Sequence, residues 1–527
     1  MGENQRFFLA FVLSFIFVFL YTSWLAKENA SHNVSASSSS ESEPVQARVE
    51  GDTHQVETPT HGLVDISSDL LQLTVSPTGG FVKSVELLKF KKSVESSERV
   101  KLFNTEIYPG FLSLVFKDSV DFSVSYSLNS RETENFKELE LLGEVSGAPV
   151  LKKLRFSRNS YLLDVEVVSN QPFSVAVPVL LMNGSSRFNA RSVFKIDSLG
   201  KVSRTQLEDA QEDLHFSDFK MIGFDDLYFA NVSVFEVAKN KAIYDKNFQA
   251  LLIPASGRLS FKVFWGPKEL RLLESHGQDF KKLIDLGFFA ILAEPILRFL
   301  LWLGDLLKNY GLAIVLMTII FRLVLYPLNS ISYKAMQKLK EIQPELEELK
   351  AKYKDDPQAL NRELILFYQK KGVNPLKGCL PILLQLPIFF GLFSALLHAI
   401  ELRHSTFFGW IKDLSSPDYI YIFSFPVPLL TLILGATLIW QHKITPMQVS
   451  DPDQERVLKL MPYIFIVMLI IVPLPAGNLV YWLVSNILSI GQQLVMQRSG
   501  LKINPFWINL ALGCAIFFIS WLIVWLF

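Results

Sequence analysis

Seven stretches of the chain are apolar for about as long as the ~20 residues that a helix needs to cross a bilayer. They cover residues 7–25, 311–328, 380–400, 420–440, 460–472, 478–495 and 505–527. The pattern predicts a polytopic α-helical membrane protein. The first stretch could instead be a signal peptide, because Val34-Ser35-Ala36 is a tolerable cleavage site. Its length and its distance from that site favour an uncleaved anchor over residues 1–28.

The segment between the first two stretches changes its pattern twice. Residues 29–62 are rich in Ser, Glu and Thr and poor in bulky apolar side chains, which predicts a disordered linker. Residues 63–268 alternate apolar and polar positions, as in "LLQLTVSPTGGFVKSVEL", where Gly79-Gly80 marks a turn between strands. This predicts a β-sandwich domain. It contains no phosphate loop, Cys/His cluster or nucleophile motif, so we expect a structural or binding domain rather than an enzyme.

Residues 280–308 mix apolar side chains with charged ones such as Lys281, Arg298 and Asp305. These charges are costly in a spanning helix but suit an amphipathic helix that lies in the membrane interface. We expect Pro295 to break or bend this helix.

Basic residues in the loops predict the orientation of the chain. Residues 329–379 hold ten Lys or Arg, residues 441–459 hold three and residues 497–504 hold two. The loops on the other face, residues 401–419 and 473–477, hold only Arg403 and Lys412. Cytoplasmic loops are enriched in Lys and Arg. The N-terminus should therefore be cytoplasmic, and the β domain and the C-terminus should lie on the outer side.

The basic loop of residues 329–379 predicts two helices that form a hairpin. Asp356 can cap the second helix, with Pro357 at its first position and Gly372 at its end. The charged hairpin would project into the cytoplasm. It is either a solvated helix pair or a docking site for a partner, and the sequence leaves both open.

An arginine interrupts the second apolar stretch, "MTIIFRLVLYPL". Arg322 lies six residues from Leu328, or about 9 Å from the predicted cytoplasmic end of its helix. No Asp or Glu occurs in any of the seven stretches, and a guanidinium does not lose its proton. The charge is therefore hydrated in a polar cavity or reaches the inner headgroups. Polar side chains that could share such a cavity are Thr318, Gln385, Gln441, Ser485, Asn486, Ser489, Gln492 and Gln493.

The overall composition narrows the chemistry further. Lys plus Arg and Asp plus Glu both number 51, so no net charge favours nucleic acid as a partner. Cys379 and Cys514 lie in or beside apolar stretches, which argues against a disulfide framework or a zinc cluster. We expect no metal site and no cofactor.

Three strings, in order along the chain, resemble the YidC membrane protein insertases. They are "DLGFFAILAEPILRFLLWLGDLLKNYGLAIVLMTIIFRLVLYPL", "KGVNPLKGCLPILLQLPIFFGLF" and "PAGNLVYWLVSNILSIGQQ". They are similar to the family's interfacial helix, core spans and last core helix, and "SPTGGFVKSVEL" resembles the start of its extracytoplasmic β-supersandwich domain. The resemblance implies a Gram-negative inner membrane protein, not an enzyme, that receives nascent membrane proteins. It would release them into lipid alone or with the Sec translocon.

The resemblance also implies a hydrophilic groove in a helical core. The groove's positive charge matches Arg322, and the position one turn earlier matches Thr318. A groove glutamine matches Gln441. A substrate-contacting aromatic residue matches Trp482, with Tyr481 beside it.

The family pattern also bears on the organisation of the C-terminal half. It implies five core spans within residues 309–498, and contact of the cytoplasmic hairpin with incoming chains, the ribosome or the signal recognition machinery. Residues 499–527 depart from the pattern, because an additional span stands where a basic tail is usual.

Two other functions compete with insertion. A secondary transporter would use Arg322 to bind an anionic solute, although the internal repeats and midplane carboxylates typical of transporters are not seen. A receptor or enzyme in the β domain, with the spans as anchors, would not explain the polar residues within the spans.

Overall fold

The computed structural model describes residues 62–105, 109–117, 119–181, 190–207, 210, 212–237, 240–353, 356–373, 376–445, 452–497 and 505–526. The expected N-terminal anchor, its signal-peptide alternative and all but the last residue of the expected linker lie outside the described residues. The chain divides into two compact units, the first ending at Ile284 and the second beginning at Asp285.

The first unit is mainly β-structure. Its small sheet contains β1 (Val64–Ser67), β2 (Leu71–Ser76), β3 (Phe81–Lys91) and β4 (Arg99–Asn104), in that order. The remaining strands are β5 (Leu114–Val115), β6 (Ser127–Glu132), β7 (Phe136–Val145), β8 (Ala148–Ser157), β9 (Leu162–Pro178), β10 (Ser192–Asp197), β11 (Val202–Gln206), β12 (Leu214–Ser217), β13 (Phe219–Asp225), β14 (Phe229–Val234), β15 (Lys241–Asp245) and β16 (Ala250–Pro267). They form a second sheet, whose main path is β11-β10-β13-β14-β16-β9-β8-β7-β6. Two short helices, α1 (Leu270–His276) and α2 (Gln278–Lys281), follow.

The two sheets of this unit meet around a buried tryptophan. Trp265 of β16 is fully buried, and its ring centroid lies 5.7 Å from that of Phe103 in β4 and 4.8 Å from that of Phe111. The expected turn at Gly79-Gly80 is confirmed, because both residues have positive φ (81° and 55°) between β2 and β3. The alternation of apolar positions in the sequence thus supplies the faces that pack in the core.

A buried ion pair fixes the same turn to the large sheet. Lys152 of β8 lies 2.5 Å from a carboxylate oxygen of Asp121, and both side chains are fully buried. Lys152 also donates hydrogen bonds to the carbonyl oxygens of Gly79 and Gly80 at 2.9 and 2.8 Å. All three ammonium protons can therefore be satisfied, as a buried charge requires.

The second unit is helical. Its helices are α3 (Ala290–Leu307), α4 (Tyr310–Val324), α5 (Tyr326–Glu341), α6 (Gln343–Lys352), α7 (Pro357–Lys371), α8 (Leu376–His398), α9 (Leu429–Ile444), α10 (Pro452–Ile471), α11 (Ala476–Gln497) and α12 (Pro505–Leu526). A short hairpin of β17 (Ile420–Ile422) and β18 (Phe425–Val427) precedes α9.

The amphipathic segment differs from the expected single helix over residues 280–308. Its helix, α3, begins at Ala290, because α2 and a loop occupy the preceding residues. The helix does not break at Pro295, since it continues to Leu307, and the alternative of a bend stays a prediction. Pro295 lies near the helix start, where its missing N–H removes one hydrogen bond. Packing of buried residues such as Ile296 and Leu300 holds the helix beyond it.

The predicted cap of the charged hairpin is confirmed. The Asp356 carboxylate accepts hydrogen bonds from the backbone N–H groups of Gln358 and Ala359 at 3.1 and 3.0 Å. Gly372 ends α7 with a φ of 63°. The first arm, however, is divided into α5 and α6, and Pro344 lies in the first turn of α6. The hairpin is therefore a three-helix segment rather than a pair.

The helix lengths differ from the expected set of spans. Among the described residues, two helices are long and apolar enough to cross a bilayer, Ala476–Gln497 and Phe506–Leu526. A third would be α4 with α5, which are bent by 57°. Shorter apolar helices cover Gln385–His398, Leu429–Ile444 and Lys459–Ile471. The fourth apolar stretch begins as the β17–β18 hairpin, so its helix starts nine residues later than expected. The count of five core spans stays a prediction.

Candidate functional site

Arg322 and Ser485 form the centre of the candidate site. Arg322 Nε donates a hydrogen bond of 2.8 Å to Ser485 Oγ, which joins α4 to α11. Tyr481, one turn before Ser485, has Arg322, Ser485 and Gln385 of α8 as polar neighbours. Within the described part of the chain, Tyr481 is the titratable neighbour of Arg322, and no carboxylate interacts with it. The arginine as a whole residue is partly exposed.

The position of Arg322 near the end of α4 partly explains how the helix accommodates its positive charge. The sequence suggested a helix to Leu328, whereas α4 ends at Val324 and Pro327 lies in the first turn of α5. Arg322 is therefore in the last turn of α4. A cation there is favoured by the exposed carbonyl groups and the negative end of the helix dipole.

Helix α11 supplies polar side chains at spacings of seven residues. Asn478, Ser485 and Gln492 follow one stripe, and they bond to the Phe393 carbonyl oxygen, Arg322 and Ser330, respectively. A neighbouring stripe holds Asn486 and Gln493, which bond to Thr437 at 2.8 Å and Thr445 at 3.0 Å. Residues seven apart lie on one face of a helix. One helix thus carries polar groups toward α4, α5, α8 and the α9 region.

A small cavity lies beside the arginine, between α4, α11 and α12. Its volume is about 10 Å³, close to the minimum that holds one water. Arg322, Gln492 and Asn509 line it with apolar neighbours. The final helix, α12, packs closely here: a Cβ added to Gly513 would lie 2.8 Å from Ile319 of α4. The additional C-terminal helix therefore contributes a polar residue to the surroundings of Arg322.

Two of the expected site residues, Thr318 and Gln441, have other surroundings. Thr318 is fully buried, and its hydroxyl donates to the Ile314 carbonyl oxygen in its own helix at 2.6 Å. At Gln441 the hydrogen bonds reach its main-chain oxygen, from the backbone and side chain of Thr445. Their roles as groove residues stay predictions.

Trp482 lies in an aromatic cluster. Its ring centroid is 5.3 Å from that of Phe389 in α8 and 5.1 Å from that of Phe465 in α10. Trp482 is partly exposed, and its role as a substrate contact stays a prediction.

The described residues contain no group of three or more His, Cys, Asp or Glu that could hold a metal ion. The polar atoms near Arg322 are hydroxyl and amide groups, which can donate and accept hydrogen bonds.

Two family models match the chain. One, described as "60Kd inner membrane protein", matches residues 302–502, and one described as "YidC periplasmic domain" matches residues 63–299. A membrane protein insertase YidC from Geobacter sp. (strain M21) is 32% identical over 83% of this chain and 85% of its own length. The chain belongs to the YidC membrane protein insertase family. The resemblance stated from the sequence is confirmed.

Further YidC insertases match nearly the whole chain. One from Lawsonia intracellularis is 32% identical over 94% of this chain and 99% of its own length. One from Haemophilus influenzae (strain PittEE) is 28% identical over 94% of this chain and 98% of its own length. Members of this family are inner membrane proteins with a periplasmic domain, and the family is not one of enzymes.

Sequence reasoning missed five polar contributors to the site, two of which are Asn478 of α11 and Thr445 at the end of α9. Ser330, Thr437 and Asn509 join the described polar groups from α5, α9 and α12. Thr437 lies one helical turn before Gln441 and therefore on the same helix face, so the sequence could have identified it as a further polar residue of the site. Asn509 could not be connected to Arg322 from the sequence, because only packing decides which face of α12 meets α4.

Proposed function

We propose that this chain inserts nascent membrane proteins and that Arg322 receives the polar part of the substrate. The observation that supports this proposal best is the Arg322 guanidinium, which bonds to Ser485 and has no carboxylate partner among the described residues. Unsatisfied polar groups cost several kcal/mol each in hydrocarbon. Hydroxyl and amide groups from α8 and α11 would form hydrogen bonds with the polar groups of the substrate during part of its passage across the membrane.

The arginine would act mainly by its charge. An anionic segment is attracted to an unpaired cation more strongly where water is partly excluded. Since the Arg322–Ser485 hydrogen bond uses only Nε, the terminal N–H groups can bind carboxylates or backbone carbonyls of a substrate.

We infer that the substrate leaves toward lipid without a cofactor or chemical step. Burial of an apolar segment in the bilayer is itself favourable. Trp482, Phe389 and Phe465 form an apolar surface that could accompany the segment as it leaves the polar residues.

Topology and partners complete the proposal. The basic loops would face the cytoplasm, with the N-terminus cytoplasmic and the β-rich unit periplasmic. The α6–α7 segment would contact the ribosome or signal recognition machinery. Its arms are connected by an ion pair of 2.5 Å between Lys371 and Glu345, which supports a defined docking surface. The Sec translocon would be a partner for part of the substrates.

Lipid contact is proposed for α3. Phe288, just before this helix, and Ile291 and Trp302 within it expose 91%, 85% and 55% of their surfaces. Exposed apolar residues on a helix with charged neighbours suit the membrane interface.

Purified protein in liposomes tests the function. Two single-span substrates that differ only in acidic residues of the translocated segment are compared for Arg322→Lys and Arg322→Leu. We expect Arg322→Lys to retain much of the insertion activity, because the charge remains. Arg322→Leu should lose more activity toward the acidic substrate. Arg298→Leu removes an equal charge from the same helical unit and serves as the control.

Two outcomes would contradict the proposal. Equal loss for the acidic and neutral substrates would limit Arg322 to a structural role. Saturable uptake of an anionic solute with no insertion of either substrate would instead support a transporter.

A further inference from the structure

The hairpin before α9 has an unusual turn. Its strands pair Ile420 with Val427 and Ile422 with Phe425, which leaves Phe423 and Ser424 as a two-residue turn. Both residues have positive φ, 48° and 69°. This is the backbone of a type I′ turn, which normally takes Asn-Gly. A bulky aromatic residue at positive φ is strained and points to a functional reason for its presence.

The hairpin is apolar and exposed on both faces. Tyr421, Phe423 and Phe425 expose 71%, 94% and 74% of their surfaces, and Ile422 exposes 50%. An isolated two-stranded hairpin is only marginally stable in water. A hairpin with this surface therefore requires apolar surroundings.

The position of the hairpin identifies those surroundings. No charged side chain occurs from Tyr419 to Trp440. The strands lead through Pro428 into α9. At the other end of the hairpin, Asp418 accepts a hydrogen bond from the Leu430 N–H at 2.6 Å. Both ends of the hairpin are thus fixed to the first turn of an apolar helix.

The length of α9 leaves room for the hairpin. Its 16 residues extend about 24 Å at 1.5 Å per residue, whereas the hydrocarbon core is about 30 Å thick. Open strand edges do not occur in the hydrocarbon core, because their N–H and C=O groups lack partners. Tyr and other amphipathic aromatic groups are favoured at the headgroup level.

We propose that residues 419–427 are a lipid-binding element that lies in the headgroup interface and completes the membrane span of α9. Its ligand is the phospholipid bilayer. The strained turn places Phe423 at the tip, where the ring meets the acyl chains while the strand edges stay hydrated. This inference does not depend on the role of Arg322.

The test uses a fluorescent probe on the full chain in liposomes. Cys379 and Cys514 are replaced by Ser, and Phe423→Cys carries an environment-sensitive NBD label. Quenching is compared for phosphatidylcholine with a nitroxide on the headgroup, near the top of the acyl chain, or near its end. The matched control is Ser146→Cys, because Ser146-Gly147 is a two-residue turn between β7 and β8 with positive φ at both residues (50° and 80°).

We expect the label at position 423 to be quenched by the two shallow nitroxides at least twofold more than by the deep one. The label at position 146 should be quenched by none. Adding Phe425→Asp should reduce the quenching at position 423 toward the control. If the protein with Phe425→Asp fails to fold, the comparison between the labels at positions 423 and 146 still decides the result.

Three outcomes would overturn the inference. Emission and quenching equal to those of the control would place the hairpin in water. Strongest quenching by the deep nitroxide would place it in the hydrocarbon core. A blue-shifted label that no lipid nitroxide quenches would indicate a protein partner, such as a second copy of the chain.

Discussion

Arg322 in α4 and Ser485 in α11 are connected by a 2.8 Å hydrogen bond from Nε to Oγ. This contact fixes the guanidinium relative to the helix that carries most of the polar groups of the site. It also joins two segments that are far apart in sequence, so the position of the charge depends on the packing of α4 against α11.

Ser485→Ala should therefore misplace the charge without removing it. A hydrogen bond to a charged group contributes about 1.5–3 kcal/mol. If the whole free energy of this hydrogen bond favours insertion, we expect the insertion rate of an acidic single-span substrate to fall roughly tenfold or more. Ser485→Thr should retain activity, because its hydroxyl can accept the same bond. The rate of insertion in liposomes, at equal amounts of protein, measures the effect.

Ser489→Ala is the control for this change. Ser489 lies one turn further along α11 and is only partly buried. If Ser489→Ala lowers activity as much as Ser485→Ala, the effect comes from the helix surface in general and not from the contact with Arg322.

Asn509→Leu tests the contribution of α12. Asn509 lines the cavity with Arg322 and Gln492, and a leucine would make that wall apolar. We expect a loss of about two- to tenfold in insertion of the acidic substrate, corresponding to one hydrogen bond of ~0.5–1.5 kcal/mol. Ser520→Leu, on the same helix, should have little effect. Equal activity of Asn509→Leu and the unmodified protein would show that α12 does not act through Arg322.

Asp226 should make the stability of the β-rich unit depend on pH. Burial raises the pKa of this carboxyl to about 6, partly offset by hydrogen bonds from the N–H groups of Phe229 and Tyr228. The folded state then binds a proton more tightly than the unfolded state, whose carboxyl has a pKa near 3.9. The free energy of unfolding should therefore fall as pH rises from about 4 to 6, by up to ~3 kcal/mol.

Asp226→Asn should remove this pH dependence, because the amide oxygen can still accept both backbone hydrogen bonds. Pulse proteolysis of the unit in increasing urea at pH 4.5, 6 and 7.5 measures it. Asp164→Asn, at a side chain that is 62% exposed, controls for the loss of one charge. An unchanged slope in Asp226→Asn would contradict the assignment to this carboxyl.

Deletion of the β-rich unit should preserve insertion activity if the deletion ends where the unit ends, at Ile284. A cut after Ser260 would divide β16 and leave Phe264 and Trp265, both fully buried in the intact unit, without their core. Exposure of such side chains costs about 1.5–3 kcal/mol each and favours aggregation. We expect deletion of residues 63–284 to yield stable, active protein and deletion of residues 63–260 to yield less protein.

Insertion assays at matched protein levels separate activity from yield. If the chain lacking residues 63–284 is stable but inserts no substrate, the β-rich unit takes part in insertion.

The sequence alone determined the division into a β-rich and a helical part, because alternating and continuous apolar patterns are local properties of the chain. It also determined the turn at Gly79-Gly80 and the Asp356 cap, since both depend on the residues within a single turn of backbone. The motifs that carry the family resemblance are local in the same way.

The tertiary structure decided what the polar residues contact. The contact between Arg322 and Ser485 and the approach of Asn509 depend on how α4, α11 and α12 pack. The same holds for the hairpin of residues 420–427, whose apolar sequence is typical of a helix as much as of a strand. Periodicity cannot distinguish the two in a short apolar run, because pairing and packing partners, rather than local preference, select between them.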